Sequence, residues 1–132
     1  MKKVFIETNS YSHLLKKDSA IETVLSQAEK VFISVVTVGE LYYGFYKGKR
    51  FKLNIVGLDK FLHKSSVTMV IIDQKISKLY GKLKFEIMRK GTPIPENDIW
   101  IATQVIATKS TLITYDRHFL KVPNLRIWKE LK

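Results

Sequence analysis

Short apolar segments recur along the chain, and longer segments with helical periodicity separate them. The short segments are nearly continuous in hydrophobic residues, which is typical of strands that are covered on both faces. They span residues 3–6, 31–35, 68–72, 111–114 and 125–128. This pattern predicts a sheet of four to five strands.

The longer segments predict helices. Residues 73–90 carry an apolar stripe that includes Ile76 and Leu83 and advances in steps of three and four residues. Gly91 and Pro93 follow the stripe and are expected to end the helix. Ser19 and Glu22 have capping-box spacing, and a stripe over residues 21–28 follows, so a helix is predicted there. Similar stripes predict further helices over residues 37–46 and 51–63 and from about residue 96 onwards.

The order of these elements predicts the fold class. Strands that alternate with helices indicate βαβ units, whose right-handed crossovers place helices on both faces of a parallel sheet. We therefore predict an α/β fold, with a mostly parallel sheet of four to five strands in a three-layer α/β/α arrangement. No repeat, linker or low-complexity tract is visible, so residues 1–132 are expected to form a single domain.

Composition restricts the chemistry. The chain has no cysteine, which excludes disulfides, zinc thiolate sites and cysteine nucleophiles. Its apolar runs are far shorter than the ~20 residues that cross a bilayer, so a cytoplasmic protein without a membrane partner is expected. Lys and Arg number 23 against 12 Asp and Glu, for a net charge of +11. This surplus favours a polyanionic partner such as nucleic acid, although a lysine-rich solvated surface also explains it.

Four acidic residues fall where a parallel sheet binds its ligands, beyond the carboxyl ends of the strands. Glu7 follows the first strand, Glu40 follows the second, and Asp116 follows the fourth. Asp98 lies in the predicted first turn of the last long helix. We expect these four side chains to converge in one pocket.

Each of these residues also has a purely local interpretation. Glu40 could close a capping box with Thr37, and Asp98 could complement the dipole of its helix. Asp116 could cap a short turn, and Glu7 could be a solvated loop carboxylate. Packed together, however, the four like charges would repel and raise one another's pKa, and a divalent cation would remove that penalty.

A cation of this kind indicates phosphodiester hydrolysis. Mg²⁺ or Mn²⁺ prefers oxygen ligands, can activate water and can neutralise a scissile phosphate. Four carboxylates around one such ion remain net negative, so a bound RNA needs further cations nearby. Arg89 and Arg117 are the candidate substrate-binding residues, together with the basic stretch of residues 47–50.

Four ordered motifs resemble those of the PIN-domain family, and in particular VapC-type toxin ribonucleases of type II toxin–antitoxin systems. They are Ile6-Glu7-Thr8-Asn9, the segment 36–44 around Glu40, the segment 89–102 around Asp98, and the segment 112–119 around Asp116. The resemblance covers nearly the whole chain in the same order, and the ordered set is far more specific than any single motif.

The resemblance implies a Mg²⁺-dependent endoribonuclease. By position, Glu7, Asp98 and Asp116 correspond to metal-facing carboxylates, and Glu40 is either a fourth ligand or a water-orienting base. The residues Asn9 and Thr114 would support them by hydrogen bonds. The resemblance also implies a homodimer, an RNA substrate and a cognate VapB-type antitoxin through which the toxin reaches operator DNA.

One residue departs from the family pattern. The family has aspartate where this chain has Glu7, and the extra methylene displaces the carboxylate by more than an ångström. Mg²⁺ tolerates such displacement poorly. A weakened or inactive PIN-domain protein that only binds RNA or antitoxin is therefore the alternative hypothesis. An aspartyl-phosphate hydrolase is disfavoured because no aspartate ends the first strand, and no recognition-helix motif supports a DNA-binding protein.

The three histidines lie far apart in the sequence and share no metal-ligand spacing. His13, His63 and His118 are therefore expected to have surface or local packing roles.

Overall fold

The computed structural model describes residues 2–131, and within that range it contains four strands and six α-helices. The strands are β1 (Lys3–Ile6), β2 (Lys30–Ser34), β3 (Val67–Val70) and β4 (Thr111–Ile113). The helices are α1 (Thr8–Leu15), α2 (Ser19–Gln27), α3 (Val35–Lys47), α4 (Phe51–Leu62), α5 (Gln74–Arg89) and α6 (Glu96–Thr108). A 3₁₀ turn, Arg117–Lys121, follows β4.

The sheet has the order β3-β2-β1-β4, and all of its pairings are parallel. The predicted fold class is therefore confirmed: a parallel sheet flanked by helices in an α/β/α arrangement. The fifth predicted strand forms only an isolated parallel bridge between Leu112 and Ile127. Around this bridge, the Leu112 amide donates to the Arg126 carbonyl at 2.8 Å, and the Trp128 amide donates to the Leu112 carbonyl at 3.0 Å.

The core is built around β1. This strand pairs with β2 on one side and β4 on the other, and Val4, Phe5 and Ile6 are fully buried. Burial of each such side chain stabilises the fold by about 1.5–3 kcal/mol. Because the three strands are parallel, their carboxyl ends lie at the same edge of the sheet, where the predicted site residues begin.

Two helix starts differ from the sequence pattern. Helix α1 was not predicted, because Thr8, Asn9, Ser10 and Ser12 are weak helix formers in a helix interior. Helix α3 begins at Val35 rather than at residue 37, directly after β2. No helix in the described part of the chain is both long enough and apolar enough to cross a membrane.

Candidate active site

A cavity of about 490 Å³ lies at this edge of the sheet, and it brings the four predicted acidic residues together. Its lining consists of Glu7, Thr8, Asn9, Glu40, Pro95, Glu96, Asn97, Asp98, Asp116 and His118. These residues come from four separate parts of the chain: the segment after β1, the middle of α3, the start of α6 and the segment after β4. The cavity is therefore a product of the sheet topology rather than of any local sequence motif.

Glu7 is the most deeply buried acid of the site, with 3% of its surface exposed. Its Oε1 accepts the backbone N–H of Asn9 at 2.7 Å, which caps α1, and its Oε2 accepts the hydroxyl of Thr114 at 3.1 Å. Burial raises the pKa of Glu7 to about 7; the charges of Asp116 and Asp98 add to the rise, and the two hydrogen bonds oppose it. The interpretation of Glu7 as a solvated loop carboxylate is wrong.

Glu40 points its carboxylate at two other segments of the cavity. Its Oε1 accepts the hydroxyl of Thr8 at 2.6 Å, and its Oε2 accepts the side-chain amide of Asn97 at 3.4 Å. The local interpretation of Glu40 as part of a capping box with Thr37 is wrong, because Ser34 occupies the N-cap of α3 and accepts a first-turn amide. The Glu40 carboxylate therefore belongs to the cavity rather than to its own helix end.

The carboxylates of Asp98 and Asp116 both contact the side chain of His118. His118 lies with Nε2 2.6 Å from Asp98 Oδ2 and with Nδ1 3.2 Å from Asp116 Oδ1. Burial raises the pKa of Asp98, and the contact with His118 opposes that rise. Asp98 lies in the first turn of α6, where it can also complement the helix dipole. Asp116 precedes the 3₁₀ turn, but its side chain makes no capping hydrogen bond there.

Sequence reasoning missed Thr8 and Asn97, which hold Glu40, and it also missed His118. The expected role of His118 was surface or local packing, yet it contacts two of the four acids. The sequence shows that His118 follows Asp116 by two residues, and this spacing carries little information by itself. The contact with Asp98 joins residues twenty positions apart, so only the folded chain reveals it.

The supporting residues hold the acids in place. Asn9 donates its side-chain amide to Asp116 Oδ2 at 3.4 Å, while Thr114 donates to Glu7. Thr114 is itself fixed, because its carbonyl accepts the indole N–H of the buried Trp128 at 2.7 Å. The hydroxyl of Thr114 also accepts the backbone N–H of Asp116 at 2.9 Å.

The two predicted substrate-binding arginines are exposed and do not line the cavity. Arg117 donates from Nη1 to the carbonyl of Leu131 at 3.4 Å, and the Arg89 guanidinium lies 6.0 Å from the ring centre of Phe85. Their contact with RNA stays a prediction. A different cation, Lys84, reaches the cavity rim through an ion pair of 3.0 Å with Glu96.

The cavity can hold a metal ion. The ligand atoms of Asp98, Asp116 and His118 all lie within 4.8 Å of one another. Glu7 and Glu40 line the same cavity outside this close group. Burial is the main cause of the raised pKa values of Glu7 and Asp98, and a cation bound among these acids would oppose that rise.

Comparison with known proteins places the chain in a family. Residues 4–125 match the family model of the PIN domain. Ribonuclease VapC2 of Rickettsia felis is 35% identical over 103 residues, which are 77% of this chain and 75% of that protein. Ribonuclease VapC2 of Haemophilus influenzae is 31% identical over 129 residues, which are 96% of each chain.

The fold agrees with this assignment. The crystal structure of VapBC2 from Rickettsia felis bound to a DNA fragment from their promoter matches with a TM-score of 0.81 at 30% identity. The match covers 96% of this chain and 97% of that chain. The chain therefore belongs to the PIN-domain family and, within it, to the VapC-type toxin ribonucleases of toxin–antitoxin systems.

Proposed function

We propose that this protein is a Mg²⁺- or Mn²⁺-dependent endoribonuclease that hydrolyses RNA phosphodiester bonds as the toxin of a type II toxin–antitoxin pair. One observation carries the proposal: Glu7, Glu40, Asp98 and Asp116, far apart in the sequence, line a single cavity at the carboxyl edge of the sheet. The ribonuclease names of its relatives support the same reaction class.

The donor set fits a hard divalent cation. Its carboxylate oxygens are the ligands that Mg²⁺ and Mn²⁺ prefer, and the cavity leaves room for the water molecules that Mg²⁺ usually retains. Asp98 and Asp116 would hold the ion, with Glu7 and Glu40 as the remaining acidic candidates. When bound, such a cation offsets the charge of the scissile phosphate and makes water a better nucleophile.

The protein groups have separate tasks in this proposal. Glu40 is held by Thr8 and Asn97, so its carboxylate is fixed in position to orient an attacking water or accept its proton. Asn9 and Thr114 keep Asp116 and Glu7 in place, which preserves the geometry that in-line attack requires.

We infer partners from the same likeness. One solved relative is a VapBC2 complex bound to a DNA fragment from its promoter. We accordingly propose that this chain forms a homodimer, binds a cognate VapB-type antitoxin and reaches operator DNA only through that antitoxin.

The central test is cleavage of single-stranded and structured RNA by the purified chain. We expect cleavage with Mg²⁺ or Mn²⁺ and none with excess EDTA. Asp98→Asn should lower the rate by about 100-fold or more, because it removes a charged group that acts on the transition state. The matched control is Asp59→Asn, an exposed acid on α4, which should cut like the native chain. Undiminished cutting by Asp98→Asn would count against the site.

Glu7 supports the alternative of a weakened or inactive enzyme. Both of its carboxylate oxygens are already engaged by Asn9 and Thr114, and its surface is almost completely buried. The variant Glu7→Asp should cut at least as fast as the native chain. If only Glu7→Asp cuts, the native protein acts by binding RNA or antitoxin alone.

A further inference from the structure

His118 sits between two acids of the proposed metal site. Its Nε2 lies 2.6 Å from Asp98 Oδ2 and its Nδ1 lies 3.2 Å from Asp116 Oδ1. The three side chains expose 24%, 16% and 36% of their surface for His118, Asp98 and Asp116 respectively. The imidazole is thus partly withdrawn from solvent and faces the cavity that the acids line.

The chemistry of imidazole limits how His118 can contact two carboxylates at once. A neutral imidazole has one N–H and one lone pair, so it can donate to only one of the two carboxylates. Its other nitrogen then places a lone pair against a carboxylate oxygen. Two electron-pair donors that face each other are stabilised by a shared cation, which is either a proton on the imidazole or a metal ion that both groups bind.

The spacing of the donors suits a single ion. Metal–ligand distances of about 2.0–2.3 Å allow two ligands on opposite sides of one ion to lie at most about 4–4.6 Å apart. The ligand atoms of Asp98, Asp116 and His118 all fall within 4.8 Å of one another, so a small adjustment brings all three onto one ion.

The backbone also holds the imidazole in place. His118 and Asp116 flank one residue at the start of the 3₁₀ turn, and the next residue, Phe119, is fully buried. The His118 ring packs against the Phe119 ring with their centres 4.8 Å apart. A turn anchored in the core therefore presents the imidazole and the Asp116 carboxylate to the same space.

We propose that His118 is a direct ligand of the catalytic cation and biases this site toward Mn²⁺ over Mg²⁺, an inference that rests on the proposed metal-dependent function. A nitrogen donor favours first-row transition metals, whereas Mg²⁺ is best served by oxygen ligands alone. His118 is in this respect a specificity-determining residue for the metal rather than a surface or packing residue.

The direct test is pulsed electron paramagnetic resonance on Mn²⁺ bound to the full-length chain, which detects a coordinated ¹⁴N nucleus. The chain has three histidines. We expect a ¹⁴N signal from the native protein and an unchanged signal from the double variant His13→Gln/His63→Gln, whose only histidine is His118. This double variant leaves the site untouched, so the result does not depend on whether a site variant folds.

A second measurement tests metal preference by titration calorimetry with MnCl₂ and MgCl₂. The variant His118→Gln keeps a side-chain N–H for hydrogen bonding but removes the imidazole. It should lose the ¹⁴N signal and weaken Mn²⁺ binding by about tenfold or more, with a much smaller change for Mg²⁺. The control His63→Gln should match the native chain in both titrations.

The outcomes separate this inference from the function on which it rests. If Mn²⁺ binds and Asp98→Asn weakens that binding, but no ¹⁴N signal appears, the carboxylate site stands and the role of His118 as a ligand is overturned. Equal weakening of Mn²⁺ and Mg²⁺ in His118→Gln also overturns it, since His118 then only positions the aspartates. If neither metal binds, or Asp98→Asn binds as well as the native chain, the proposed function fails too.

Discussion

Glu7 lies at the end of β1, where 3% of its surface is exposed and burial raises its pKa to about 7. In the unfolded chain the same carboxyl has a pKa near 4.5. Between these two values the folded protein keeps a proton that the unfolded chain has released. The free energy of unfolding therefore falls as the pH rises through this window.

This linkage gives a prediction for the metal-free protein. In EDTA, the native chain should lose about 3 kcal/mol of unfolding free energy relative to Glu7→Gln between pH 4.5 and pH 7.5. The reason is that Gln stays neutral while the Glu7 carboxylate is forced to ionise in a buried site. Urea denaturation at several pH values measures the difference. Parallel pH profiles for the two proteins would show that Glu7 is not desolvated in the folded chain.

At the scale of secondary-structure elements, the start of α2 illustrates how local sequence signals compete. Ser19 and Glu22 have the spacing of a capping box, but the structure places the N-cap one residue earlier, at Asp18. Its Oδ1 accepts the amides of Ala20 and Ile21 at 3.0 and 3.1 Å. Asp18 is the N-cap in place of Ser19 because its carboxylate makes a further contact. Its Oδ2 also accepts the hydroxyl of a distant residue, Tyr115, at 2.9 Å.

The cap at Asp18 makes a second prediction. Asp18→Ala should cost about 1 kcal/mol of unfolding free energy at pH 7, measured by urea denaturation, because the first turn of α2 loses its acceptor. The hydrogen bond from the Ile21 amide is the main factor that lowers the pKa of Asp18. The stabilisation by the ionised cap is therefore fully present at pH values above the usual pKa of a carboxyl group. This stabilisation by the Asp18 cap is lost as the pH falls through the lowered pKa of Asp18.

A matched substitution checks the origin of this effect. Asp59→Ala, at an exposed position within α4, removes an aspartate that caps no helix. It should change the unfolding free energy little, both at pH 7 and in strong acid. A gap between Asp18→Ala and the native chain that stays constant into strong acid would contradict the assigned role of the ionised cap.

At the scale of the whole molecule, a chain of net charge +11 surrounds an acidic cavity. If RNA is the substrate, as we propose, lysines and arginines around the cavity must attract it, because the acids repel it. Lys84 pairs with Glu96 on the cavity wall. Lys16 lines a second cavity of about 240 Å³, which shares Asn9 and Asp116 with the first. We predict that an RNA strand approaches the cavity along these two lysines.

This charge distribution predicts a strong salt dependence of RNA binding. In the Asp98→Asn background, which we expect not to cleave RNA, the affinity for single-stranded RNA should fall linearly with salt on logarithmic axes. Lys16→Ala should reduce the magnitude of that slope by about 0.7, as expected when one phosphate contact is lost. Fluorescence anisotropy over a range of KCl concentrations measures the slope.

The control for this experiment is Lys78→Ala, an exposed lysine on α5 that lines neither cavity. It should leave the slope nearly unchanged. Equal effects of the two substitutions would mean that RNA is held by the general charge of the surface rather than by a defined approach to the cavity.

The sequence by itself determined the four strands, five of the six described helices and the acidic residues at the sheet edge. Continuous apolar runs mark strands that are covered on both faces, so β1, β2, β3 and β4 could be located to within two residues. The rule that parallel strands end at one edge then predicted that Glu7, Glu40, Asp98 and Asp116 would meet, and the structure brings them to one cavity.

Only the tertiary structure decided what these residues touch. Helix α1 forms despite weak propensities because Glu7 caps it, and Glu7 is buried because β1 lies inside the sheet. His118 reaches Asp98 across α6 and the 3₁₀ turn, a contact that no spacing along the chain encodes. The physical reason is that periodicity reports which face of an element is buried, whereas hydrogen bonds and charges between elements depend on how those elements pack.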